Sequence, residues 1–185
     1  MAISDRSVAS KSEKMKGKSI AVAICGGIGA VEMVKIIREL RRHGADVTAF
    51  MTPSVESFIS AMSIEWAAER PVVTSVGAEV SHLWNFDAVV VAPATLNTLG
   101  KCAAAISDNA VTLLIAGQLG RRAPLMFVPA MNSILFAHPL YAETKQRLSG
   151  WGAVFFESPQ EEDRLKMPEP TKLADAVIAL VNHAS

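Results

Sequence analysis

The sequence predicts an α/β fold: a parallel sheet with helices on both of its faces. Three observations carry this. From Ser19 onward, short apolar runs alternate with longer amphipathic ones. The short runs are apolar at successive positions, as strands buried on both faces must be. Glycines and prolines separate the two kinds of segment, so the order reads strand, helix, strand throughout. At 185 residues the chain suits one domain with a well-buried core.

The elements follow in order. Ser19–Cys25 is a buried strand that ends in glycines. Ala30–His43 has apolar residues at Val31, Val34, Ile37 and Leu40, a helical spacing, with Lys35, Arg38, Arg41 and Arg42 elsewhere. Gly44 is its stop signal. Ala45–Met51 is a second strand, and Pro53–Ser60 a short helix with proline in its first turn. Pro71–Ser75 reads as a short strand and Asp87–Ala92 as the clearest one. Thr95–Ile106 and Asn109–Leu119 are one broken helix or two consecutive helices. Pro124–Val128 is a strand, Pro139–Leu148 a helix, Ala153–Glu157 a strand, and Thr171–His183 a closing helix. Met1–Lys18, rich in Ser, Lys, Asp and Glu, reads as a disordered tail before a domain over 19–185.

Composition excludes several function classes. Lys and Arg together number 18, as do Asp and Glu, so the formal charge is zero. That is not the footprint of a dedicated nucleic-acid binder. No apolar run approaches the roughly 18 residues of a membrane span. Cys25 and Cys102 form no CxxC pair, and His43, His82, His138 and His183 are scattered, so neither a disulfide framework nor a metal site is expected. A reducing cytoplasm is the default compartment.

In a parallel sheet, ligands bind beyond the carboxyl ends of the strands. Four such junctions stand out. In Cys25-Gly26-Gly27-Ile28-Gly29-Ala30, glycines let backbone amides approach an anion, and the next helix aims its dipole there. The dinucleotide fingerprint is incomplete: counting from Gly27, Glu32 fills the third glycine position, and the second strand ends in Met51-Thr52 without an acidic ribose ligand. A hydroxyl there suits a phosphate, so a mononucleotide is favoured over a bare turn. Pro93-Ala94-Thr95-Leu96-Asn97-Thr98 and Pro129-Ala130-Met131-Asn132 each follow a strand, and each also reads as an ordinary helix cap. Apolar residues beside amides at adjacent strand ends suit a flat heterocycle. Glu161–Pro170 is a charged loop, read either as a lid or as a solvated connection.

These segments, with Ser107-Asp108-Asn109 and Met167-Pro168-Glu169-Pro170, resemble the FMN-containing cysteine decarboxylase superfamily. It includes phosphopantothenoylcysteine decarboxylases and the peptidyl-cysteine decarboxylases of lantibiotic biosynthesis. The resemblance runs from about Lys18 to the C-terminus. It implies a flavodoxin-like, three-layer Rossmann-like sandwich and a homo-oligomer, a trimer or a dodecamer of trimers, with FMN between subunits. It further implies FMN contacts from Gly27, Ile28, Gly29, Thr52, Thr95, Leu96, Asn97, Thr98 and Ala130, with Asn132, beside Met131, holding a substrate carboxylate. The substrate class implied is a small-molecule or peptidyl thiol carboxylate.

Two departures separate the chain from that pattern. The family's catalytic histidine lies eight residues before the Asp that opens the central strand. Counting back from Asp87 gives Glu79, while His82 lies five before it, and Asn85-Phe86 replaces the usual Trp-Ala. His82 and Glu79 both stand as candidate bases. The loop cysteine that serves as acid in phosphopantothenoylcysteine decarboxylases is also absent; Cys25 and Cys102 lie elsewhere and read as buried apolar residues. Three functions are therefore expected in descending order. First is an FMN-dependent oxidative decarboxylase of a cysteine-type carboxylate. Second is an FMN-dependent reductase or electron-transfer flavoprotein similar to dihydromethanopterin reductases. Last is a non-catalytic regulatory subunit.

Overall fold

The computed structural model describes residues 5–76, 84–158 and 160–183. Its core is a five-stranded parallel sheet in the order β2-β1-β3-β4-β6. The strands are β1 (Ser19–Ile24), β2 (Asp46–Met51), β3 (Ala88–Ala94), β4 (Leu125–Pro129) and β6 (Val154–Phe155). The expected α/β class, with a parallel sheet flanked by helices in the Rossmann-like manner, is the fold observed.

Side-chain alternation along β1 explains the two cores. Ile20, Val22 and Ile24 point to one face, where they pack with α1 (Met33–Arg42), α2 (Ala61–Ala68) and α7 (Pro170–His183). Ala21, Ala23 and Cys25 point to the other, against α3 (Leu96–Ala103), α4 (Ala110–Gly120) and α6 (Pro139–Gly150). Every residue of β3 is buried, which is why that strand reads as an unbroken apolar run. Truncating one of its valines to alanine removes about 1.5–3 kcal/mol of burial. Asp87 anchors the start of the strand: its Oδ2 accepts from the Ser19 amide at 2.8 Å and the Ser19 hydroxyl at 2.9 Å.

The chain order reverses at β1. β2 lies on one side of it and β3 on the other, so the switch point where such sheets bind ligands falls between the ends of β1 and β3. The glycine turn and Thr95 are both there.

Three stretches differ from the sequence expectation. Pro53–Ser57 is a 3-10 turn, and a separate helix, α2, follows with the Ser60 hydroxyl accepting from the Ser63 amide at 3.3 Å. Pro71–Ser75 contributes a single parallel bridge, Val73 to Phe50, at the sheet edge. Residues 5–18, expected as a disordered tail, lie along α1. Met15 in that segment is fully buried, its amide donates to the His43 carbonyl at 2.8 Å, and Lys11 meets Glu39 at 2.6 Å. A single methionine among charged residues supplies the apolar anchor, too little for a composition window to register.

Glu39 on α1 is 2% exposed and takes both Lys11 and Arg42, the latter at 2.9 Å. Burial alone would raise its carboxyl pKa, but the hydrogen bonds from Lys11 and Arg42 outweigh it and hold the group below its ordinary value. The stabilisation is therefore present above the unfolded-state value of about 4.5 and disappears as pH falls through the lower folded-state value. A Glu39→Gln variant is expected to be less stable than wild type at about pH 7, and the gap should close under acid conditions. Thermal midpoints across that range check it; a gap that persists in acid contradicts it.

Candidate functional site

The site is built where strand ends meet short turns. Gly26 and Gly27 follow β1 and lead into a 3-10 turn, Ile28–Glu32, with no side-chain cap and no acid in its first turn. Across from it, Thr52 leads into Pro53–Ser57, which also has no side-chain cap. The two turns touch: a Cβ built on Gly26 would lie 2.2 Å from Ser54 Oγ and 2.9 Å from the Ser54 carbonyl carbon. Only glycine permits that approach. At Gly27 the nearest atom to a built Cβ is Thr95 Cγ2 at 3.7 Å, so open space lies over it.

Two adjoining clefts share Gly26, Thr95, Leu96 and Leu135. One, about 790 Å³, holds Gly27, Ile28, Gly29, Ala130, Met131 and Asn132. The other, about 920 Å³, holds Ser54, Asn97, Thr98, Lys101, His138 and Arg147. Both volumes are those of small-molecule sites. Thr95 caps α3: its Oγ1 accepts from the Thr98 amide at 3.3 Å and lies 3.2 Å from Thr98 Oγ1. Lys101 on the wall pairs with Asp108 at 2.5 Å, and Asn109 beside it caps α4 with a full capping box. The Ser-Asp-Asn segment thus ties α3 to α4 beneath the cleft.

Asn132 is held on two sides. It belongs to a two-residue strand, β5 (Met131–Asn132), and caps the short α5 (Ser133–Phe136). Its Oδ1 accepts from the Leu135 amide at 2.9 Å, which leaves its Nδ2 hydrogens for another acceptor. The expected loop at Glu161–Pro170 is a hairpin whose strands are β7 (Gln160–Glu161) and β8 (Arg164–Leu165). β8 pairs antiparallel with β5, Asn132 opposite Arg164. The hairpin therefore closes one cleft as its wall. Beyond it, Met167 lies over the glycine turn: a Cβ on Gly29 would come within 2.7 Å of Met167 Cγ.

The structure thus brings Gly27, Ile28, Gly29, Thr95, Leu96, Asn97, Thr98, Ala130, Met131 and Asn132 together around adjoining clefts. Thr52 stands behind them: it is buried, and its hydroxyl lies 3.2 Å from that of Ser54, which lines the cleft instead. Glu79 and His82 lie outside the described residues. Sequence reasoning missed Ser54 and His138. In the sequence, Ser54 signals only a helix start after Pro53. His138, in His138-Pro139, caps α6 by accepting the Leu140 amide on Nδ1 at 3.2 Å and lines the larger cleft.

Cys25 and Cys102 are buried and line neither cleft. Burial pushes the Cys25 thiol up to about 11 and the Cys102 thiol up to about 12, so both stay protonated near neutral pH. Among the described residues, no cluster of His, Cys, Asp or Glu is placed to hold a metal ion, and no helix is long and apolar enough to cross a membrane.

A phosphate-bearing flavin fits these features. The open space over Gly27, bordered by Gly26 and Ser54, suits a phosphate, the two turns beside it have no side-chain caps, and the apolar and amide groups of Thr95–Thr98 and Ala130 suit a ring.

The flavoprotein family profile matches residues 8–182. The coenzyme A biosynthesis bifunctional protein CoaBC of Thermococcus kodakarensis is 37% identical over 177 residues, covering 92% of this chain and 44% of that protein. The Escherichia coli protein of the same description is 30% identical over 152 residues, covering 75% and 36%. This chain therefore spans less than half the length of these relatives. Among solved structures, the FMN-dependent cysteine decarboxylase SpaF superposes with a TM-score of 0.79 at 22% identity, over 92% of this chain and 98% of that one. A PPC decarboxylase variant complexed with pantothenoylaminoethenethiol gives 0.75 at 22%, over 89% and 98%. At these identities the superpositions speak for the fold.

Proposed function

This chain belongs to the flavoprotein family, and we propose from that premise that it binds FMN and oxidatively decarboxylates a cysteine-type thiol carboxylate. The observation that carries the proposal is Asn132. Its carbonyl is committed to capping α5, and its amide hydrogens are left over in a cleft walled by the glycine turn and the hairpin. A carboxylate is the acceptor that best uses a neutral double donor placed there. The names of the related proteins, PPC decarboxylase and cysteine decarboxylase, point to the same substrate class.

FMN, when bound, supplies a two-electron acceptor for the substrate thiol. The protein's own residues do the rest. Gly26, Gly27 and Ser54 hold the phosphate, and Thr95–Thr98 with Ala130 line the ring. Asn132 orients the carboxylate so that its bond to carbon breaks once the thiol carbon has become a thioaldehyde. His82 or Glu79 takes the thiol proton. The balance is a thiol carboxylate giving an enethiol and carbon dioxide, with two electrons and one proton released. The loop carries no cysteine, and Cys25 and Cys102 are buried thiols away from the clefts, so the product stays at the enethiol level. The substrate is a small-molecule or peptidyl thiol carboxylate, and the compartment a reducing cytoplasm.

A second reading, an FMN-dependent reductase or electron-transfer flavoprotein, draws on the missing loop cysteine. It leaves the committed geometry of Asn132 without a use and ranks below the first.

We further propose that the working form is a homotrimer or a larger assembly of trimers. Ile28 and Leu140, at 66% and 54% exposure, line the clefts, and Ile134 on α5 is 81% exposed; these are apolar side chains available for a neighbouring chain. The test is reconstitution with FMN followed by sedimentation. The expected result is a yellow protein with one FMN per chain in a species of at least three chains. Colourless protein that takes up no FMN overturns the reading, and a monomer that binds FMN tightly overturns the assembly.

A further inference from the structure

We propose that Tyr141, Glu157 and Lys145 form a positioning network that holds the β7–β8 hairpin in register over Asn132. Glu157 follows β6 and is separated from β7 by only Ser158 and Pro159. Its carboxylate is fixed from α6, where the Tyr141 hydroxyl donates to Oε1 at 2.5 Å and Lys145 Nζ reaches Oε2 at 2.7 Å. The Phe156 amide just before it donates to the Phe127 carbonyl at 2.8 Å, so the strand side of this point is fixed by the sheet. The entry to the hairpin is thus tied down at Glu157.

Tyr141 also reaches the other partner. Its ring packs on Phe136 with centroids 4.7 Å apart, and Phe136 ends α5, the helix that Asn132 caps. The two branches meet again at the cleft: Asn132 pairs with Arg164, and the Ser133 amide donates to the Asp163 carbonyl at 2.8 Å. One buried tyrosine, 5% exposed, therefore sets both the helix that aims Asn132 and the hairpin that faces it.

The electrostatics are consistent with a fixed contact. Burial raises the Tyr141 phenol, as does the neighbouring Glu157 carboxylate, and Tyr141 stays a donor. Burial would also raise Glu157, but the hydrogen bonds from Lys145 and Tyr141 outweigh it and keep the carboxylate charged. The Lys145 side chain is 38% exposed and its share is screened by solvent. The Tyr141 hydrogen bond is therefore the stronger tie.

The hairpin carries its own reporters, since trypsin cuts after Arg164 and Lys166. Loosening it is expected to raise cleavage there about five- to tenfold in Tyr141→Phe and in Glu157→Ala. Cleavage after the exposed Lys172 on α7 should stay unchanged. Glu157→Gln, which keeps an acceptor for the tyrosine, should lie between wild type and Glu157→Ala. The double variant should exceed neither single one by much, because both cut the same tie. Unchanged hairpin cleavage in folded Tyr141→Phe protein overturns the proposal, as does an equal rise at Lys172. Should Glu157→Ala fail to fold, Tyr141→Phe and Glu157→Gln decide alone. The kinetic arm rests on the decarboxylase reading: KM for the thiol carboxylate should rise more than kcat falls. The cleavage arm needs no substrate, so failure of that reading is distinguishable from failure of this one.

Discussion

An Asn132→Asp variant is expected to keep its fold and its flavin and to lose decarboxylation by about a hundredfold or more. The reasoning starts from the cap. Asn132 Oδ1 accepts the Leu135 amide at 2.9 Å, and an aspartate oxygen can do the same, since Asp and Asn are comparable N-caps. What changes is the other end of the side chain. The two amide hydrogens become a second carboxylate oxygen, so a donor facing the substrate carboxylate becomes a like charge. Asn132→Ala removes the donor and the cap together and should also lose about 1 kcal/mol of local stability. Comparing the two separates chemistry from folding. Carbon dioxide release is the readout, with flavin absorbance and circular dichroism as controls. Full activity in Asn132→Asp would show that this amide does not hold the carboxylate.

The second large effect concerns the glycine turn. Gly27→Ala is expected to fold as wild type yet bind FMN about a hundredfold more weakly. In the protein itself a Cβ there meets nothing nearer than Thr95 Cγ2 at 3.7 Å, an ordinary contact. The space it enters is the one assigned to the phosphate. Gly26→Ala behaves differently: its Cβ runs into the backbone of Ser54 at 2.9 Å, so the β1 and β2 turns must part and stability falls along with affinity. Titration with FMN and thermal unfolding of both apoproteins distinguish the cases. If Gly27→Ala binds FMN normally, the phosphate is not where the turn places it.

Much of the fold was legible because β1, β3 and β4 are buried on both faces, and their apolar runs stand out from any neighbouring segment. The glycine turn was legible because it follows β1, and the two Pro-Ala segments because they begin in the last residues of β3 and β4. The hairpin was not. Gln160–Lys166 offers one buried apolar residue, Leu165, and its tip is Glu162-Asp163 in the left-handed region, at φ 49° and 55°. Turns of that kind are signalled by Asn-Gly or Asp-Gly, and here tertiary pairing with β5 imposes the conformation. Ser54 escaped for another reason. A serine after a proline reads as a helix start, and only the contact with Gly26, 28 residues away in sequence, makes it part of a cleft. The N-terminal segment escaped because Met15 is its one fully buried apolar residue among the described ones. Glu79 and His82 lie outside the described residues, so the choice between them passes to substitution.

That choice, and the reaction itself, meet in one measurement: anaerobic mixing of the FMN-loaded protein with a cysteine-type thiol carboxylate, following flavin colour and carbon dioxide together. The account predicts that the flavin bleaches, that one carbon dioxide appears for each flavin bleached, and that colour returns only when oxygen or another acceptor is admitted. His82→Ala or Glu79→Ala, whichever removes the base, should stop the bleaching. A flavin that stays oxidised in the presence of such thiols, and bleaches instead with a reduced nicotinamide or ferredoxin, would contradict the account and leave the reductase in its place.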